Sequence, residues 1–426
     1  MKNIKVVKET SDEVTLEVSF KLSKSMLDTE KNIQSILNEV GSCVTGKALS
    51  EYDTDGSPIK LGNQTFTSKG FFEKNYQTPY GETRVSRHVY QSHSGGKTYC
   101  PLEDKARIVV TSTPRFAMMV SCKYSYGSTE HVKQDFINNH ERPVNRKTLQ
   151  TISEAVGSVA MAKEVDWEYL PNPDELEKVE VVSFGLDGTC MQMREDGWRE
   201  AMAGTISLYN KDGDRVHTHY LAAAPEYGKK KFLDNLEESI NKTIDLFPDS
   251  KKIGLADGAR ENWGFLENFC DYQVIDFYHV TTYLGSYSKA IYKTEKEQKE
   301  WFERACSDLK SKHGSASRLY NEIKEEAKNK HKKKDQEVID KTLSYFKNNV
   351  EKMKYKKMME MGSPIGSGVT EAACKVIVKE RMCKAGMRWK NDGAQLVLKL
   401  RTMTQTTGHW DHFWNKVDQY GFEMVA

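Results

Sequence analysis

A chain of 426 residues with 38% hydrophobic and 10% aromatic residues can bury a sizeable core and form two or three domains, which excludes a disordered or fibrous protein. Its 63 Lys and Arg against 61 Asp and Glu leave a net charge of +2, so overall charge neither demands nor excludes a nucleic-acid partner. Eight cysteines without a CxxC pair, no apolar window near eighteen residues, and a start, "MKNIKVVKETSDE", without a signal-peptide apolar stretch argue against a disulfide framework, a zinc ribbon or a membrane span. A soluble cytoplasmic protein with reduced thiols and no membrane partner is expected.

Residues 1–127 read as an α+β region. "VTLEVSF" alternates like a strand, and Leu27, Ile33, Ile36, Leu37 and Val40 have helical spacing within 26–49. From Thr65 to Val120, aromatic, Val and Thr content with glycines at 70, 81, 95 and 96 predicts short strands and hairpins. His88 and His93 read as loop histidines.

Residues 128–170 change character. A helix starting near Ser128, a turn containing Pro143 and a second helix capped by Asn145 would expose Arg146 and Lys147. This is a helix-turn-helix whose second helix enters a DNA groove, or an αα-hairpin with a solvated basic face; the two stand at even weight. "LPNPDELEK" then supplies a linker.

From 179 to 280 the pattern is β-β-β-α-β-α-β: "VEVVSFGLDGTCM", "EAMAGTISLYN" and "RVHTHYLAAA", the last two joined by the turn "KDGD", then a helix through Phe232, Leu236 and Ile240, the strand "KKIGLADG", a short helix in "ENWGFLENFC" and the strand "YQVIDFYH". That order is the order of an RNase H-like core, a mixed sheet flanked by helices, so the fold class expected is α/β. Residues 281–362, with a single internal glycine between Gly285 and Gly362 and apolar residues such as Trp301, Leu309, Leu319, Ile339 and Phe346, predict an all-helical insertion of two to four helices. Its run "KNKHKKKDQE" reads as a solvated face or loop, or a phosphate-facing surface. Residues 363–426 would return to the core as C-terminal helices.

Two stretches share one sequence context. Val181, Val182, Phe184 and Leu186 lead to Asp187 and Gly188, and Ile253 to Ala256 lead to Asp257 and Gly258. A carboxylate at the mouth of a buried strand costs free energy unless it is paired or binds a metal. After the insertion, "GSPIGSGVTEAACKVIVKERMCKAGMRWK" offers a helix from about Val369 with Glu371 in its first turn and Lys375 and Lys379 on the same face. Two Asp and one Glu can converge on two divalent cations, Mg²⁺ or Mn²⁺, spaced about 3.5–4 Å apart for phosphodiester displacement.

Several ordered stretches, "GLDGTC" with "WREAMAGTISLY", "LADGAREN" with "VIDFYHVTTYL", "YFKNNVEKMKYKKM" and "PIGSGVTEAACKVIVKERMCKAGMRW", resemble a DDE transposase of a bacterial insertion sequence, of the ISKra-type family and more distantly the Mutator-like enzymes. The resemblance covers about 179–414. It implies that Asp187, Asp257 and Glu371 form a metal-binding catalytic triad, and that Asp276 and His279 match a C/D-x-x-H signature. His279 then contacts the scissile phosphate or the third acid, or the two form a strand-end packing pair. The implied partners are double-stranded DNA, as terminal inverted repeats and target, and a second copy of the chain, since two ends are joined in one event.

The remaining candidates are weaker. Arg388, Trp389 and Lys390 follow Gly386 in a loop that would touch a DNA end, with Trp389 stacked on a base or packed in the core. His217 and His219 alternate on a strand without a third ligand. Trp410, Phe413 and Trp414 read as packing. The functional alternatives are an RNase H-like nuclease without strand transfer and a transposase-derived DNA-binding protein without catalysis.

Overall fold

The computed structural model describes residues 4–10, 12–226, 229–329 and 331–422, which form two compact units: 1–169 with 409–426, and 170–408. Lys330 of the basic run lies outside the described residues. No helix among the described residues is long and apolar enough to cross a membrane.

The first unit opens with a hairpin of β1 (Ile4–Glu9) and β2 (Val14–Val18), followed by α1 (Met26–Ser50), whose N-cap Ser25 accepts from Asp28 N–H. A three-stranded antiparallel sheet of β3 (Ile59–Leu61), β4 (Gln64–Gln77) and β5 (Glu82–Ser92) comes next. The short strands expected to Val120 are therefore corrected. Two long strands pair from Phe66↔Ser92 to Gln77↔Glu82, and two helices follow them, α2 (Pro101–Lys105) and α3 (Pro114–Tyr126). Each helix begins on a proline, whose fixed φ and missing N–H suit the first helical position. Phe116, Val120 and Tyr124 then line one buried face at four-residue spacing.

α4 (Thr129–His140) is capped by Ser128 and α5 (Arg146–Ala162) by Asn145, which accepts from Thr148 N–H at 2.8 Å. Between them Arg142 is buried, donates to Thr78 O, Pro143 O and Gln77 Oε1, and lies over the Phe116 ring. α5 buries Leu149, Ile152, Val156 and Val159 and packs on α3 and α4, making a three-helix cluster rather than a freestanding pair. Arg146 and Lys147 are exposed at its start.

The last helix, His409–Tyr420, belongs to this unit and not to the core segment expected over 363–426. Arg107 donates to the carbonyls of Asp418 and Gln419, Trp167 lies against Phe413 and Tyr420, and Tyr169 stacks on His409 with centroids 5.0 Å apart. Phe413 and Trp414 are buried in that packing.

The second unit is built on a five-stranded mixed sheet. β6 (Val181–Met193) and β7 (Gly197–Tyr209) pair antiparallel over their whole length, and β8 (Arg215–Ala223) pairs antiparallel with β7. After α6 (Lys230–Leu246), β9 (Lys251–Ala256) lies parallel to β6; after α7 (Arg260–Leu266), β10 (Tyr272–Ile275) lies parallel to β9. The order is β10-β9-β6-β7-β8.

Period-two alternation sorts the two faces. Gly204, opposite Leu186, admits α6, since a Cβ there would lie 3.2 Å from Leu236 and Phe232. Gly185, pointing the other way, admits the side chain of Thr370, whose hydroxyl bonds Thr205 at 2.7 Å. His217 and His219 of β8 belong to no group of three or more candidate metal ligands among the described residues. Burial holds both imidazoles below the ordinary value, and burial with Lys399 nearby takes His219 down to about 3. A base depressed in the fold stabilises above its unfolded value near 6.5, and that stability is lost as pH falls toward 3. Thermal melts at pH 7 and pH 4.5 should show a lower midpoint at pH 4.5, with the drop reduced in His219→Gln.

The strand expected over "YQVIDFYH" is corrected to four residues. Asp276 ends it by N-capping α8 (Phe277–Ile291), where its Oδ1 accepts from His279 N–H. Then come α9 (Glu295–Ser311) with a capping box from Thr294 and Glu297, α10 (Ser315–Glu326), α11 (Lys333–Asn349) and α12 (Tyr355–Glu360). Their buried residues, Trp301, Leu309, Leu319, Ile339 and Phe346, join the apolar cluster that includes Phe184 and Ile253. α13 (Gly368–Ala373), a π-helical turn (Cys374–Lys379), α14 (Glu380–Met382) and α15 (Asn391–Gln405) complete the unit.

Candidate active site

Asp187 sits on β6 where the neighbouring strand parts from it. Pairing with β9 stops at Phe184↔Gly254, and the carbonyl of Leu186 accepts instead from Asn262 Nδ2 of α7 at 3.3 Å. Carrying the register of Ser183↔Ile253 forward puts Asp187 and Asp257 on the same face, Asp257 one residue past the end of β9. On that face Thr370 pins α13 over Gly185, which brings Glu371 and Cys374 to Asp187. Cys374 Sγ lies 3.5 Å from Asp187 Oδ2, and Gly188 N–H donates to Asp187 Oδ1 at 2.7 Å.

The three acids share one electrostatic neighbourhood. Burial raises the Asp187 carboxyl above its ordinary value, and the charges of Asp257 and Glu371 push it further, against the hydrogen bonds from Gly188 and Cys374. Among the described residues none of the three is ion-paired. Such a set of hard oxygen donors, none of them in a direct ion pair, fits divalent cations of the Mg²⁺ class.

The side chains nevertheless do not close into a cage. Among the described residues no group of three His, Cys, Asp or Glu side chains is drawn together around one point as a preformed metal cage. Each carboxylate is turned to a local donor: Asp187 to Gly188 and Cys374, Asp257 to Ala259 N–H at 3.2 Å, and Glu371 to Ser367 Oγ at 2.8 Å.

Two clefts flank the acids. One, of about 560 Å³, is lined by Asp187, Glu371, Cys374, Lys375, Lys379 and Glu380. The other, of about 770 Å³, is lined by Asp257, Arg260, His279 and Lys352, with Tyr345 and Tyr283 stacked 3.9 Å apart. Lys375 and Lys379 thus stand beside two of the acids and His279 beside the third. Asp276 lines neither cleft: only 1% exposed, it is a buried helix cap that also accepts from Ser367, the hydroxyl beside Glu371.

The loop candidates divide. Trp389 pairs with the end of β6 through Gln192 O and Arg194 N–H, donates its indole N–H to Met382 O at 2.8 Å, and has Arg381 over its ring. These contacts fix a half-buried Trp389 in place, and Arg388 and Lys390 are exposed on either side. Sequence reasoning passed over Ser367, Cys374, Asn262 and Tyr345. Only Cys374, one helical turn after Glu371, carried a signal in its spacing.

Neither protein-family models nor curated proteins match this chain. The reading of the site rests on its own residues.

Proposed function

We propose that the chain is a DDE transposase with an RNase H-like catalytic core. The strand order, with two antiparallel pairs on one side of β6 and two parallel pairs on the other, is the order such a core has, and the long helical segment lies between its last strand and the helix of the third acid. One observation carries the reading: Asp187 and Asp257, 70 (257 − 187) residues apart, share one face of the sheet where β6 and β9 part, and Glu371, a further 114 (371 − 257) residues on, lines one cleft with Asp187.

In this reading Asp187, Asp257 and Glu371 hold two divalent cations. Held there, two such cations would supply activation of an attacking oxygen and stabilisation of the leaving one in a phosphodiester displacement, with water or a 3′-OH as the attacking group. Lys375 and Lys379 face the phosphates in the cleft, and His279 serves the strand on the Asp257 side. Exposed Arg146 and Lys147 bind phosphates and so hold the element ends, and a second copy of the chain holds the other end.

The test is incubation of the purified chain with labelled DNA carrying the native element ends, with and without Mg²⁺. Mg²⁺-dependent cleavage followed by joining supports transposition. Cleavage without joining leaves an RNase H-like nuclease, and binding alone leaves a DNA-binding protein without catalysis. Arg146→Ala with Lys147→Ala should weaken end binding and lower the slope of log affinity against log salt by roughly 1 for each phosphate no longer neutralised. Unchanged slopes in gel shifts at several salt concentrations would remove the helix-turn-helix role.

A further inference from the structure

We infer that Ser367 is a positioning residue for Glu371, linking its carboxylate to the buried Asp276. The inference rests on the metal-site reading above and names a residue that reading does not contain.

Ser367 occupies the N-cap of α13, where serine ordinarily bonds the N–H groups of its own helix. It makes no such bond. Its hydroxyl lies 3.0 Å from Asp276 Oδ2 and 2.8 Å from Glu371 Oε1, and its backbone N–H also donates to Asp276 Oδ2. Ser367 and Asp276 are 4% and 1% exposed, so water does not compete for these bonds. Asp276 is in turn fixed by His279 N–H at the start of α8.

The proton count fixes what the arrangement does. One hydroxyl proton faces two carboxylate oxygens and serves one at a time. Asp276 keeps the backbone N–H of Ser367 whichever way the hydroxyl turns, so the proton is free for Glu371. The bond engages one oxygen of Glu371 and leaves the other for the cleft shared with Asp187. The anchor is rigid because Asp276 joins the end of β10, the start of α8 and the start of α13. An outer partner of this kind sets the orientation of a ligand, and its loss costs about 10–100-fold in metal affinity.

The experiment titrates Mn²⁺ into the full chain without DNA, reads free Mn²⁺ by electron paramagnetic resonance, and records the melting midpoint of every variant. Ser367→Ala should bind Mn²⁺ about 10–100-fold more weakly at an unchanged midpoint. Ser367→Thr should restore affinity, and in a Glu371→Gln background Ser367→Ala should add no further loss. If Ser367→Ala melts early, Ser367→Cys takes its place, with similar volume and a weak donor. Wild-type affinity in Ser367→Ala, or an equal loss in the Glu371→Gln background, overturns the positioning role while leaving the metal site standing. Equal binding by wild type and Asp187→Asn sinks the metal-site reading, and this proposal with it.

Discussion

Asp187→Asn or Glu371→Gln is expected to abolish Mg²⁺-dependent cleavage and joining while leaving binding to the element ends intact. Either change keeps the side chain's shape and removes a charged ligand, a loss of about 3 kcal/mol or more in transition-state stabilisation, or roughly 100-fold or beyond in rate. Binding survives because it comes from Lys and Arg paired with phosphates. The same Asp187→Asn variant should melt at a higher temperature than wild type at pH 7. The sign follows from the raised carboxyl: an acid whose folded value lies above the unfolded one costs stability once ionised, so the fold loses stability as pH rises above the ordinary value of 3.8. Removing that charge removes the cost. Cleavage at wild-type rates by Glu371→Gln would end the DDE mechanism whatever the fold.

The second large effect concerns Gly185, which carries no functional group. A Cβ there would stand 2.2 Å from Thr370 Oγ1, 3.1 Å from Thr205 Oγ1 and 3.3 Å from Leu255 O, so Gly185→Ala must push α13 off the sheet. Overpacking of this kind costs about 1–3 kcal/mol of stability. Because α13 carries Glu371, a shift near 1 Å should also cost on the order of 100-fold in cleavage. Thr370→Ala in the same chain relieves the overlap and should recover part of both losses. Thermal melts and single-turnover cleavage of the single and double variants check this, and additive losses in the double variant would show that the Gly185–Thr370 packing does not set the position of Glu371.

What the sequence revealed depended on the range of the interaction. The β6–β7 pair and Asp257 after Ala256 were legible because an apolar strand run and Asp-Gly at a strand end are local signals, as is the "KDGD" turn into β8, whereas Asp187, read as a strand-end acid, lies in the middle of β6. α3 was missed since its Val, Tyr and Phe residues favour strands by composition, and only Pro114 and the four-residue spacing pointed to a helix. Asp276 was misplaced because a four-residue strand runs directly into a capped helix, where Asp followed by Phe277, Val280 and Leu284 was a legible start signal. Ser367 was hidden for another reason. Its partner Asp276 is 91 residues away, and no local pattern encodes a hydrogen bond over that distance.

The π turn at Cys374–Lys379 has a consequence for how the site helix is wound. Arg401, only 2% exposed, donates to the carbonyls of Val376 and Ile377, so the wider turn is held by a buried side chain. In an ordinary α-helix each residue advances about 100°, so the eight residues from Glu371 to Lys379 overshoot two turns by about 80°. An i→i+5 turn uses more residues per revolution and takes back part of that overshoot. Glu371, Lys375 and Lys379 line one cleft because the segment is longer than regular winding requires. Deleting a single residue from it would put the helix out of phase and turn Lys379 away from the acids without changing any of them.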